Sequence, residues 1–390
     1  MTENNNHTYN STRLRDYSGD SHIARGRFDL PFALLTLTLL TIGVVMVLSA
    51  SFARAYYDPT HETGGRATYY FTRQLVFALA GVAAMYATSR FPMWFYRKFS
   101  KLIMIIAFGL LAAVLVIGTK VNGARRWIGF GIINIQPSEI AKIAVILCFS
   151  AMICKYKEKM KTFRTGIVPF AGILGGIIVL LALEPHLSGA IIIVAVGAVL
   201  LLVGGVPIKW FVGGGVAVAG LAAIAISVMD YAKERVQNWL DPFAAASDEG
   251  YQIVQSLYAV GSGGLMGTGI GQSRQKYLYL PEEHNDFIFS VVCEELGFIG
   301  AMLILLLFAL LIIRGYWLAL HMRDRYSFLV CTGITTLLAI QVFLNVAVVT
   351  NLIPCTGISL PFFSYGGSAL LIQMAEMGII LSASRELPNE

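Results

Sequence analysis

The spacing of its apolar runs most constrains what this chain can fold into. A helix needs about 20 mostly apolar residues to cross a hydrocarbon core, and the sequence supplies ten such runs, near 30–51, 73–89, 101–118, 138–154, 166–184, 188–203, 207–228, 286–313, 327–350 and 363–383. With 56% hydrophobic and only 13% charged residues, the apolar surface exceeds what one soluble core can take in. Inside lipid every backbone polar group must be satisfied within its own segment or by protein. The expected fold is therefore an all-α polytopic membrane protein with ten transmembrane helices.

Charge sets the expected orientation. The net charge is +6, and the basic residues fall in short patches between apolar runs, which fits positive-inside topology and not nucleic-acid binding. With a cytoplasmic N-terminus, eighteen Lys and Arg lie inside against ten outside, so both termini are expected in the cytoplasm. The division that follows is a disordered cytoplasmic tail over 1–29, a transmembrane domain over 30–384 with a large extracytoplasmic loop at 229–285 between helices 7 and 8, and a short cytoplasmic C-terminus at 385–390. The five cysteines, Cys148, Cys154, Cys293, Cys331 and Cys355, show no CxxC spacing and read as small buried hydrophobes.

Candidate chemistry gathers at the expected outer edge. Leu280-Pro281-Glu282-Glu283-His284-Asn285-Asp286-Phe287 runs directly into an apolar stretch. An ionisable group placed there faces water on one side and lipid on the other, which suits an acid or base acting on a lipid-linked substrate. Asp286 is the first candidate. Glu282 and Glu283 flank a proline and read as solvated or structural. On a helix starting at Asp286, Glu294 lies about 80° around the wheel and Glu295 about 180°, so Glu294 is expected to share its cavity, with Glu295 turned toward Gln341, Asn345 or Glu376.

Other clusters add positive charge. Arg125-Arg126-Trp127 couples guanidinium to an indole at the interface, a pairing that holds a phosphate bearing a lipid tail or simply anchors to head groups. Pro137-Ser138 starts a helix in which Glu139 and Lys142 share a face as a structural ion pair or as part of a polar cavity. Arg274 and Lys276 are cations just upstream of Asp286. Glu184-Pro185-His186 offers a carboxylate and an imidazole at a turn, too few ligands for a metal site. Six glycines in 261–271 give exposed amides for a phosphate cradle, or an apolar re-entrant turn.

Gly123-Ala124-Arg125-Arg126-Trp127, Gln136-Pro137-Ser138-Glu139, Leu280-Pro281-Glu282, His284-Asn285-Asp286-Phe287, Glu294-Glu295-Leu296-Gly297, and Leu360-Pro361 with Ser364-Tyr365-Gly366-Gly367-Ser368 together resemble the SEDS family of bacterial wall synthesis, in order and over about Asp29 to Ser384. The end of the first run looks more like the division and sporulation members than the elongation member. Glu184-Pro185-His186-Leu187-Ser188-Gly189 departs from the Gln-Pro-Asp-Leu-Gly-Thr of many members. The resemblance implies the SEDS fold and a multi-pass protein of the bacterial plasma membrane. It also implies a peptidoglycan glycosyltransferase that polymerises lipid II in division or sporulation, releases undecaprenyl diphosphate, and works with a class B penicillin-binding transpeptidase and other divisome or sporulation wall proteins.

On that implication Asp286 is the catalytic base, and Arg125, Arg126, Glu139, Lys142, Arg274, Lys276, His284, Glu294 and Ser364 form the substrate-binding set. A divalent cation, Mg²⁺ or Mn²⁺, is compatible with help from Glu139 or Glu294, and no organic cofactor is expected. A lipid II flippase using the same cavity, or a non-enzymatic scaffold for the transpeptidase, stays open.

Overall fold

A computed structural model describes residues 26–57, 63–121, 124–130, 133–216, 220, 237, 239–244 and 250–387. Helix α1 spans Leu30–Tyr56, α2 Tyr69–Thr88, α3 Met93–Ile117 and α4 Pro137–Tyr156. Further along lie α5 Val168–Leu183, α6 Leu187–Val203, α7 Tyr251–Ser262, α8 Ile288–His321, α9 Arg325–Val349 and α10 Gly367–Ser384. Between α3 and α4 a small antiparallel sheet forms from β1 Thr119–Val121, β2 Ala124–Phe130 and β3 Ile133–Ile135, in the order β1-β2-β3.

Among the described residues, seven helices are long and apolar enough to cross a membrane. The expected run at 73–89 is helical as α2, which carries Arg73 and Gln74 in its second turn and is not among the seven; α6 is a shorter apolar helix. The expected run at 207–228 is helical over 208–216, and residues 217–219 and 221–228 lie outside the described residues. The chain is an integral membrane protein. α4 and α9 sit innermost, while α3, α5 and α8 leave most of their apolar surface exposed to the surrounding lipid.

Caps fix the helix ends. Asp29 accepts from Phe32 N at 2.8 Å at the head of α1, with Pro31 in the first turn. The same carboxylate pairs with Arg314 near the far end of α8, and Asp29 N donates to Ser384 Oγ, so three helix ends meet on one residue. Pro137 opens α4.

α8 is not one continuous helix. Gly297 stands at φ 68°, ψ −172°, and the glycine-rich segment fills the break. Thr268 N and Gly269 N donate to the carbonyls of Glu294 and Glu295 at 2.9 and 3.0 Å, while Phe298 N and Ile299 N donate to Gly264 O and Leu265 O at 2.8 and 3.1 Å. Non-helical backbone is tolerated at membrane depth only with protein partners of this kind. A Cβ on Gly297 would stand 2.2 Å from Gly267 N, so both positions require glycine. The amides of Thr268 and Gly269 are thus committed to α8 and are not free for a phosphate. The described part of the expected 229–285 loop also carries helix α7, packed on α8.

Candidate active site

The turn before α8 carries Asp286. The helix begins at Ile288, two residues later than the expected run, so Asp286 projects from a loop end held by three backbone clamps. Asn345 Nδ2 in α9 donates to Asp286 O at 2.8 Å and to Ile358 O at 2.7 Å. Ser364 Oγ donates to Asn285 O at 2.8 Å and accepts from Leu360 N at 2.7 Å. Tyr365 N donates to His284 O at 2.9 Å. Irregular chain from two distant segments is thereby stitched into one wall.

That wall bounds a cavity of about 300 Å³ lined by Arg126, Trp127, Gln136, Glu139, Lys142, His186, Glu282, Asp286, Gln341, Gly357, Ser364, Gln373 and Glu376, among others. Among the described residues no hydrogen bond or salt bridge engages the Asp286 carboxylate. Burial, with the neighbouring Glu282, raises its pKa to about 6 against the opposing pull of His284 and Arg126. Gly357, at φ 64°, passes so close that a Cβ there would stand 3.1 Å from Asp286 Oδ2.

Of the expected site residues, Asp286, Arg126, Glu139, Lys142 and Ser364 come together on this cavity. Lys142 pairs with Glu139 at 2.7 Å, so the ion pair exists and also lines the cavity. Arg126 donates to the carbonyls of Glu184 and Pro185, which fixes its guanidinium at the mouth. Ser364 is a lining residue whose hydroxyl is taken up in holding the turn.

The remaining expected residues lie elsewhere. Arg125 and Arg126 are adjacent on β2, and side chains alternate along a strand. Arg125 is therefore exposed and donates to Leu115 O at 3.2 Å, away from the cavity. His284 is buried between the rings of Tyr70 and Tyr365, at centroid distances of 4.7 and 5.7 Å. Its neighbour Glu283 takes a two-pronged contact from Arg54 at 2.8 and 3.1 Å. Burial would raise the Glu283 pKa, but hydrogen bonds from His284 and Arg54 hold it below the usual carboxylate range.

Lys276, expected near a diphosphate, is 2% exposed and pairs with Glu295 at 2.8 Å. Ser49 of α1 donates to the same carboxylate at 2.6 and 2.7 Å. Glu294, expected in the Asp286 cavity, instead accepts from Ser273 Oγ, from Arg274 N at 2.8 Å and from Gln275 N at 3.4 Å. The late helix start takes Asp286 off the wheel. Glu295 finds Lys276 and Ser49 in place of Gln341, Asn345 or Glu376. The Arg274 side chain is exposed.

At the α5–α6 turn, burial raises the Glu184 pKa to about 7 against the pull of Arg126. Burial, followed by Arg126 and Lys142, lowers that of His186 to about 3, so His186 is a neutral lining residue. Sequence reasoning left Glu282, Gln136, Gln341, Gln373 and Glu376 out of the site. The signal for the last three was their polarity inside apolar helices.

A divalent cation meets a poor donor set. Glu139 is on Lys142 and Glu294 is on the 273–275 turn. Among the described residues no group of three or more His, Cys, Asp or Glu could hold a metal ion.

Apolar helices around a charged cavity, with an unengaged carboxylate on its wall, define an integral membrane protein with a built polar site. The chain belongs to the cell cycle protein family of FtsW, RodA and SpoVE, whose model matches residues 30–389. It is 43% identical over 360 residues to stage V sporulation protein E of Bacillus subtilis strain 168, covering 92% of this chain and 97% of that one. It is 37% identical over 363 residues to the probable peptidoglycan glycosyltransferase FtsW of Geobacter metallireducens, covering 93% and 96%. Among solved structures, a chain of a peptidoglycan synthase complex that coordinates polymerization and crosslinking superposes with a TM-score of 0.76 at 27% identity, over 92% of this chain and 98% of that one. The Thermus thermophilus rod shape determining protein RodA superposes at 0.67 and 27% identity, over 93% and 98%.

Proposed function

We propose that this chain is a peptidoglycan glycosyltransferase that polymerises lipid II into glycan strands at the outer face of the bacterial plasma membrane, in division or sporulation wall synthesis. The observation that carries the reading is an unengaged, partly buried carboxylate, Asp286, on a cavity that also presents Arg126 and Lys142. Relatives named for this activity support it.

A sugar hydroxyl is a weak nucleophile and needs a base whose proton affinity suits the working pH. Asp286 takes the proton of the acceptor sugar's 4-hydroxyl as that oxygen attacks the donor's anomeric carbon. The bond from that carbon to the diphosphate breaks, and undecaprenyl diphosphate leaves with the electron pair. Arg126, oriented by two carbonyls, and Lys142, held by Glu139, stand where they offset the developing negative charge. Assays with Mg²⁺, with Mn²⁺ and with chelator test whether a cation travels with the diphosphate.

Ten spans with both termini in the cytoplasm fit the seven long helices together with α2, α6 and the 207–228 run, and this topology sets the cavity at the outer face. A class B penicillin-binding transpeptidase is the proposed partner, supported by the likeness to a chain of a peptidoglycan synthase complex. The deciding experiment is glycan-chain assay of the purified protein, with and without its cognate transpeptidase, in detergent. Polymerisation there needs no second leaflet, so chains made by wild type and lost in Asp286→Asn support the reading. Activity seen only as lipid II transfer across sealed vesicles would sink it in favour of a flippase.

A further inference from the structure

The turn that presents Asp286 is built around Glu282. Its backbone stands at φ 54°, in the left-handed region that is strained for a residue with a side chain. It is held there because its carbonyl accepts from Asn285 N at 3.0 Å and Phe287 N at 3.4 Å, while its Oε2 accepts from Asn285 Nδ2 at 2.5 Å. Strain kept at a cavity wall by surrounding structure points to use. Glu282 and Asp286 line the same cavity, so two carboxylates share one wall, and the sequence had offered Glu282 only as a solvated or structural residue.

We propose that Glu282 is a positioning residue of this site: its carboxylate, pinned by Asn285, sets a second negative charge on the wall that presents Asp286 and acts on the reaction through Asp286. The proposal rests on the reading of Asp286 as the base. Glu282 and His284 on its own turn and Arg126 on β2 are the charged or titratable neighbours that act on Asp286 through space. His186 from the α5–α6 turn, Glu139 and Lys142 from α4, and Glu376 from α10 line the same cavity. Glu282 is the like charge next to Asp286, and it acts in the same direction as burial.

The sign of the effect follows. Asp286 works as a carboxylate, so activity falls as pH drops through its proton uptake. Removing a negative neighbour lets it stay ionised at lower pH. With the purified full chain, its transpeptidase and lipid II, Glu282→Gln is expected to move the acid limb of kcat/KM down by on the order of one pH unit. The plateau falls a few-fold because the base is weaker.

Glu282→Asp keeps the charge and is expected to keep the limb. Glu282→Ala repeats the neutral test without an amide. A limb unmoved in a folded neutral variant overturns the proposal. So does loss of folding in both neutral variants while Glu282→Asp folds with its limb in place, since that outcome assigns Glu282 a structural role alone. Asp286→Asn, measured alongside, separates the two readings: full activity there removes the base itself, whereas an inactive Asp286→Asn with an unmoved Glu282→Gln limb removes only the role of Glu282.

Discussion

Asp286 and the Glu294–Glu295 pair stand eight and nine residues apart in the chain, yet they meet opposite surroundings. The deeper pair is fully engaged: Glu294 ties down the 273–275 turn, and Glu295 holds Lys276 and Ser49, so two other segments converge on the two carboxylates. The Asp286 turn inverts this. Its backbone is clamped from α9 and the 358–365 segment while its carboxylate is left open to the cavity. A buried charge with all its oxygens taken fastens structure, and a charge whose backbone is fastened in its place can exchange a proton.

That contrast breaks first at Asp286→Asn. Glycan polymerisation is expected to fall by about 10²–10⁴-fold with no loss of thermal midpoint in detergent, and a variant that polymerises normally would end the distinction. The deeper cluster should respond the other way. Lys276→Met leaves Glu295 buried without its cation, at a cost of about 3–5 kcal/mol, read as a lowered thermal midpoint with loss of folded protein. If Lys276→Met keeps its midpoint but loses turnover, the deeper pair belongs to the chemistry after all.

Acidification gives a smaller, graded test. Because the Asp286 pKa is raised to about 6, the carboxylate is ionised at pH 7 and takes up its proton below about 6. Polymerisation should then drop roughly tenfold per pH unit, measured as kcat/KM against pH. Gly357→Ala probes the same wall sterically: a β-carbon 3.1 Å from Asp286 Oδ2 at φ 64° should cost about 1–2 kcal/mol and lower activity together with the midpoint. The smallest effect belongs to Arg125→Ala. That side chain is exposed and off the cavity, so stability should change by less than about 0.5 kcal/mol, with polymerisation near wild type, in contrast to a clear loss in Arg126→Ala.

Much of this was readable from residues alone. Apolar run length found the long helices because lipid leaves the backbone few alternatives, and a carboxylate at the head of an apolar stretch marked Asp286. What escaped depended on local geometry that apolar pattern does not encode. Arg125 and Arg126 look equivalent until β2 turns them to opposite faces. Glu294 looks like a cavity neighbour until the helix starts at Ile288. Lys276 looks like a free cation until Glu295 and Ser49 arrive from elsewhere in the chain, and Glu282 looks solvated until the turn folds it toward Asp286. Strand alternation, a helix start and a tight turn decided three of these, and long-range pairing decided Lys276.

The backbone contact between Gly267 and Gly297 also limits how such a chain can change over generations. Neither position can accept even a methyl group without forcing the two segments apart, and a second substitution at the partner adds bulk and relieves nothing. The pair therefore offers no stepwise route through intermediate sequences. Variation in this part of the molecule is channelled to the exposed side chains around the joint, such as Leu265, Met266 and Phe298, which can drift while the joint itself stays fixed.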